Sequence, residues 1–323
     1  MASDGVITHR NVDVNGVRLH VAEAGPAGTP VVLLLHGFPE LWYTWRHQMP
    51  ELAAAGYRAV APDMRGYGDS DAPSGGPDQY TALHVDGDLV ALIDSVSQKQ
   101  QFILVVTHEW GALIAWSLCL FRPDKVKALV ALSVAFNPRN PAVKPVDAFR
   151  ALYGDDYYVC RFQEPGAVEA EFRRLGTELV LRKFFAYRTP GPLFIPKSGW
   201  GSPYEEVLLP SWITEEDIKY YTTQFHKSGF TGGLNYYHAL NKTWDLTSPW
   251  TGAEIKVPTK FIVGDLDLTY NTAGAQFINK GGFKKFVPLL DDVVIMKDVA
   301  HFINEEKPKE ISAHIISFIN KFN

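Results

Sequence analysis

Short apolar runs alternate with segments of helical periodicity along the first third of the chain. Val31-Val32-Leu33-Leu34-Leu35 is a continuous apolar run of strand length, and so is Phe102-Ile103-Leu104-Val105-Val106. Runs without a polar face fit strands covered on both sides, the situation of a parallel sheet. Tyr57-Arg58-Ala59-Val60-Ala61 and Ala128-Leu129-Val130-Ala131-Leu132 predict two further strands. From Val12 to Ala22 polar and apolar positions alternate around Asn15-Gly16, which predicts a hairpin. Residues 1–136 therefore read as the first part of a β-α core.

The pattern changes after Asn137-Pro138-Arg139-Asn140-Pro141. Residues 137–251 hold few strand-like runs and several amphipathic helical segments, interrupted at Pro190-Gly191-Pro192 and Pro196 by a loop. Thr214, followed by Glu215, Glu216 and Asp217, predicts a capped helix start. Strand character returns at Pro258–Gly264 and Val293–Met296, and the last helix is expected over Ile311–Ile319. The expectation is an α/β fold with a mostly parallel central sheet and helices on both faces. A helical cap at 137–251 interrupts the core, which resumes over 252–323. Within the cap, Trp200, Phe194, Leu208 and Leu209 are expected to line an apolar cavity or to be plain core.

Composition narrows the function classes. With 323 residues, 46% of them apolar, the chain can bury a large core. A net charge of -5 without a dense Lys/Arg block argues against nucleic acid and anionic membranes as partners. Cys119 and Cys160 have no metal-ligand spacing and are expected as buried free thiols. No apolar leader opens the chain, so a cytosolic protein is expected, as a monomer or weak homodimer.

The chemistry is concentrated where the run ending at Val106 meets a helical segment, in Thr107-His108-Glu109-Trp110-Gly111. A strand that turns sharply into a helix lifts the middle side chain clear of the sheet. At the apex stands a carboxylate, Glu109, rather than a hydroxyl or thiol. A carboxylate suits attack on an electrophilic sp3 carbon, giving an ester that water then cleaves. Asp265 and Asp267 end a later strand, and His301 follows the last one. Nucleophile, acid and His in that order match the order of an α/β-hydrolase triad. His301 would activate water and Asp267 would orient it. His36-Gly37-Phe38-Pro39 follows another strand, so the N–H groups of Phe38 and Trp110 could form an oxyanion hole. His36 and His108 read as mainly structural.

These stretches, with His36–Tyr43, Arg65–Ser70, Phe230–Tyr237 and Ala300-His301-Phe302, resemble the plant soluble epoxide hydrolases of the α/β-hydrolase superfamily. The resemblance spans essentially the whole chain. It implies an apolar epoxide as substrate, no metal or organic cofactor, and two cap tyrosines that hydrogen-bond the epoxide oxygen and protonate it. The matching positions are Tyr158 and Tyr237.

The chain departs from that family at its most constrained turn. The family's elbow carries Asp at the apex and Gly or Ala two positions earlier, where this chain has Glu109 and Thr107. The extra methylene moves the carboxylate by roughly 1 Å, a displacement that can cost about 100-fold in rate. Three readings stay open on sequence alone: an ester-forming epoxide hydrolase, an epoxide-opening cyclase or isomerase using Glu109 as a base, and an impaired or purely binding protein. An Asp-to-Glu replacement made deliberately would also account for Glu109.

Overall fold

A computed structural model describes residues 6–97, 103–272 and 277–322. Eight strands form one sheet in the order β1-β2-β4-β3-β5-β6-β7-β8. β1 (Thr8–Val14) and β2 (Val17–Ala24) pair antiparallel, with Val14 opposite Val17. Asn15 and Gly16 join them with φ of 44° and 79°, the left-handed pair that a two-residue hairpin of this twist requires. β2 meets β4 (Arg58–Pro62) antiparallel. Parallel pairing then runs through β3 (Val31–Leu35), β5 (Ile103–His108), β6 (Val126–Leu132), β7 (Thr259–Gly264) and β8 (Leu290–Met296). Phe102 lies outside the described residues, and Tyr57 precedes its strand by one position.

Each sheet face has its own buried cluster. Leu33, Leu35, Val105, Leu129 and Phe261 pack on one side with α2 (Ala82–Val96) and α3 (Trp110–Phe121). Val32, Leu34, Val106, Val130 and Ile262 pack on the other, with α1 (Gln48–Ala54) and the C-terminal helix Pro308–Ile319. The central runs lack polar positions because both of their faces are covered.

Between β6 and β7 lie seven α-helices: α4 (Pro145–Tyr153), α5 (Tyr158–Arg161), α6 (Ala167–Leu175), α7 (Thr177–Phe185), α8 (Glu215–Ser228), α9 (Thr231–His238) and α10 (Leu240–Leu246). Thr214 caps α8 as its sequence predicts, accepting from the Asp217 N–H while Asp217 accepts from the Thr214 N–H. The apolar expectation for the long loop holds for Trp200 and Leu209, which pack against the core, and needs correction for Leu208 and Phe194. Leu208 is 82% and Phe194 44% exposed, while Trp200 and Leu209 are half-buried. Leu208 and Phe194 sit in the Pro- and Gly-punctuated stretch ahead of α8, where no regular helix turns a shared face inward. Cys119 and Cys160 are buried and free. Among the described residues no helix is long and apolar enough to cross a membrane.

Candidate active site

The site is assembled at the C-terminal ends of the parallel strands, where open parallel sheets leave a crevice. At the end of β5, Glu109 adopts φ 51° and ψ -118°, and α3 starts at the next residue. Positive φ in a side-chain-bearing residue marks strain of the kind that functional sites retain. Two close approaches make the bend possible. A Cβ on Gly111 would stand 2.3 Å from the Leu35 carbonyl oxygen, and one on Gly37 would stand 2.3 Å from Glu109 Oε2. Neither position tolerates a side chain without movement of its surroundings.

Glu109 is buried, and both of its oxygens have partners. Oε2 accepts from the Phe38 N–H at 2.7 Å and from the Trp110 N–H at 2.5 Å. Oε1 accepts from the Tyr237 hydroxyl at 3.1 Å. The longer side chain therefore still sets one oxygen on both backbone donors. Burial pushes the carboxyl up to about 7, opposed by the nearby His301, by the two N–H groups and by His108. Thr107, two residues earlier, is fully buried, and its hydroxyl has no hydrogen-bond partner among the described residues.

His301 Nδ1 lies 3.0 Å from Asp267 Oδ2. A carboxylate at that distance holds the proton on Nδ1 and leaves Nε2 free to accept one. Burial alone would raise Asp267, but the adjoining His301, with the Thr269 N–H and hydroxyl, holds it below the usual carboxylate range. Both Thr269 donors reach Asp267 Oδ1 at 2.7 Å.

The roof comes from the helices between β6 and β7. Tyr158 opens α5 and Tyr237 lies near the end of α9, with ring centroids 5.9 Å apart. Burial pushes both phenols well above their ordinary range, so each keeps its proton at neutral pH. The Phe38 ring meets Phe162, Phe184, Phe230 and Tyr237 edge-on, which gives this space an aromatic wall.

The two other histidines singled out by the sequence, His36 and His108, are fully engaged. His36 Nδ1 lies 2.9 Å from the Gly37 carbonyl oxygen, and its Nε2 accepts from the Met64 N–H at 2.9 Å, which defines a neutral ring. His108 Nδ1 lies 2.8 Å from Glu40 Oε2, and its Nε2 lies 2.7 Å from the His301 carbonyl oxygen. Both ring nitrogens face acceptors, so both donate, and His108 is an imidazolium. Burial alone would lower it, but Glu40 raises it to about 9. Burial likewise opposes ionisation of Glu40, yet His108 and the Gly37 N–H bring it down to about 2. Glu40 was missed as a site residue by sequence reasoning. It stands three residues after Gly37 in the motif His36–Tyr43, and only the fold shows it reaching back to that backbone.

All the residues expected from sequence thus lie in one region: Glu109 touches Phe38, Trp110 and Tyr237, with Tyr158 beside Tyr237 and the His301–Asp267 pair close by. Among the described residues no group of three or more His, Cys, Asp and Glu is placed to hold a metal ion.

Known proteins similar to this chain carry the same architecture. A family model described as alpha/beta hydrolase fold matches residues 30–186. Epoxide hydrolase 3 of Siraitia grosvenorii is 55% identical over 318 residues, 98% of this chain and 99% of that protein. Epoxide hydrolase A of Mycobacterium tuberculosis (strain ATCC 25618 / H37Rv) is 38% identical over 327 residues, 98% of each chain. The crystal structure of an epoxide hydrolase from Vigna radiata superposes with a TM-score of 0.94 at 54% identity, covering 100% of both chains. Potato epoxide hydrolase I gives 0.93 at 53% identity, over 98% of this chain and 100% of that one.

Proposed function

The chain belongs to the epoxide hydrolases of the α/β-hydrolase superfamily, and from that premise we propose that it opens an apolar epoxide to a vicinal diol with Glu109 as nucleophile. One observation carries the reading. Glu109 presents its two oxygens to different partners, Oε2 to the Phe38 and Trp110 N–H groups and Oε1 to a cap phenol.

In the first half-reaction Oε1 attacks an epoxide carbon, a C–O bond forms, and the ring C–O bond breaks. The departing oxygen takes a proton from Tyr237 or Tyr158, which are neutral donors at this pH. The product is a glutamyl ester whose carbonyl oxygen is Oε2. In the second half, His301 Nε2 takes a proton from water, steadied by Asp267, and the hydroxide adds to the ester carbonyl carbon. Charge then develops on Oε2, where two N–H groups already point. Collapse breaks the bond from the carbonyl carbon to Oε1, and the expelled diol oxygen takes the proton held by His301. The Glu109 carboxyl, now carrying the water's oxygen, returns its proton to the tyrosinate beside it.

Heavy-oxygen water tests this directly. Over multiple turnovers the label is expected in the Glu109 carboxylate, with a mass adduct on the same residue after brief exposure to substrate. Diol formation with neither signal refutes the ester route. It would favour a second reading, Glu109 as general base on water in direct hydration of the epoxide, which draws on its elevation to about 7. A cyclised or isomerised product without diol would point to the same base acting on a substrate hydroxyl. Glu109→Asp discriminates further, because a large gain in hydrolysis would show that the extra methylene restrains that reaction.

A further inference from the structure

Ser133 follows β6 with φ 67° and is 2% exposed. Glycine would adopt that backbone freely, whereas serine keeps it under strain. Its hydroxyl donates to the His301 carbonyl oxygen at 3.0 Å, and His108 Nε2 lies 3.1 Å from the same hydroxyl. The Ile303 N–H also reaches that carbonyl, so three donors from three elements fix the backbone carrying the imidazole. In the other direction, the Ser133 carbonyl oxygen lies 2.7 Å from Thr269 Oγ1, the hydroxyl that bonds Asp267. The Ser133 N–H donates to Ile262 on β7. One strained residue thus touches the His301 loop through its side chain and the Asp267 loop through its carbonyl.

We propose that Ser133 is a positioning residue for hydrolysis of the ester, holding His301 and Asp267 in register so that the imidazole reaches the attacking water. The proposal rests on the ester reading above for the step it affects. Attack by Glu109 uses neither loop. Loss of the clamp therefore acts chiefly on the second half-reaction, where small misplacements of a base are costly.

The test compares Ser133→Gly and Ser133→Ala in rapid-mixing single-turnover experiments that resolve ester formation from ester breakdown. Both variants are expected to form ester at the wild-type rate within about twofold and to break it down about 10-fold more slowly. Thermal melts separate positioning from folding, since Ser133→Gly relieves the strained φ and is expected to melt no lower than the wild type. Normal breakdown in the glycine variant, with slowing only in the alanine variant, would show that the residue serves the fold alone and overturns the proposal. Equal slowing of both steps also overturns it. A cycle with His301→Gln is independent of any ester: Ser133→Gly is expected to leave the residual turnover of that background unchanged. A further 10-fold loss there means Ser133 does not act through His301. If no ester forms in the wild type, the ester reading fails, and this cycle still decides the role of Ser133.

Discussion

Glu40 and Glu109 are both buried glutamates, and each accepts a backbone N–H from the same loop, from Gly37 in one case and Phe38 in the other. Yet Glu40 is held near 2 and Glu109 is raised to about 7. Glu40 has the His108 imidazolium 2.8 Å away and the Thr44 hydroxyl on its other oxygen. Glu109 receives dipoles and a phenol, with full charges only at longer range. Dipoles alone do not replace the water lost on burial, whereas a contact ion pair does. The same residue type therefore becomes a permanent anion on one side of Gly37 and a titrating group on the other.

Four experiments press on that contrast. The largest effect is expected from Glu109→Gln, which should lower diol formation by roughly 10⁴-fold or more, because a carboxamide is a poor nucleophile. A chromatographic assay retaining even a tenth of wild-type turnover would leave Glu109 without a chemical role. Next, Glu40→Gln takes the counter-charge from the buried His108, which must give up its proton and one of its hydrogen bonds, and is expected to cost about 3–5 kcal/mol in urea unfolding at neutral pH. Removing His108 as well should recover part of that loss. A single-variant loss under about 1 kcal/mol would mean that the pair carries little charge.

The third experiment concerns pH. A carboxyl whose folded value is raised binds protons more tightly when folded, so its contribution falls as pH rises from the unfolded to the folded value. For Glu109 that window runs from 4.5 to about 7. Unfolding free energies of the wild type relative to Glu109→Gln should fall by about 3 kcal/mol across it, then level off. Ester formation should move in the opposite sense, rising through about 7 as the nucleophile ionises. In the Glu40→Gln background both midpoints should move upward, since His108 then loses charge. Coincident midpoints would detach Glu109 from its neighbour. The smallest effect is expected from Thr107→Val, which replaces an unpartnered hydroxyl with a methyl of similar size and should stabilise by about 1 kcal/mol. Destabilisation in calorimetry would mean the hydroxyl is satisfied in solution.

Much of the fold was legible because its signals are local. The apolar runs at Val31–Leu35 and Ala128–Leu132 have the length and composition of strands buried on both faces, and Asn15-Gly16 carries its own turn chemistry. Glu109, Asp267 and His301 were readable from their order and from their places after strand-like runs. What stayed hidden depends on contacts distant in sequence. The charge on His108 requires Glu40, 68 positions away, and a carbonyl 193 positions away. The strain at Ser133 has no sequence signature, since serine is usual where strands end. Exposure of Leu208 could not be read either, because an apolar residue in an irregular loop follows no period.

The strands that bracket the helical insertion, β6 and β7, are hydrogen-bonded neighbours, with Leu129 opposite Thr259. The chain leaves the sheet and rejoins it one strand over, so the intervening helices can change in length or shape without disturbing the register beneath. Glu109, Asp267 and His301 stand at strand ends of the sheet, while Tyr158 and Tyr237 lie in the inserted helices. A roof transplanted from a relative would thus exchange the groups proposed to protonate the epoxide oxygen while the strand ends beneath stay where they are.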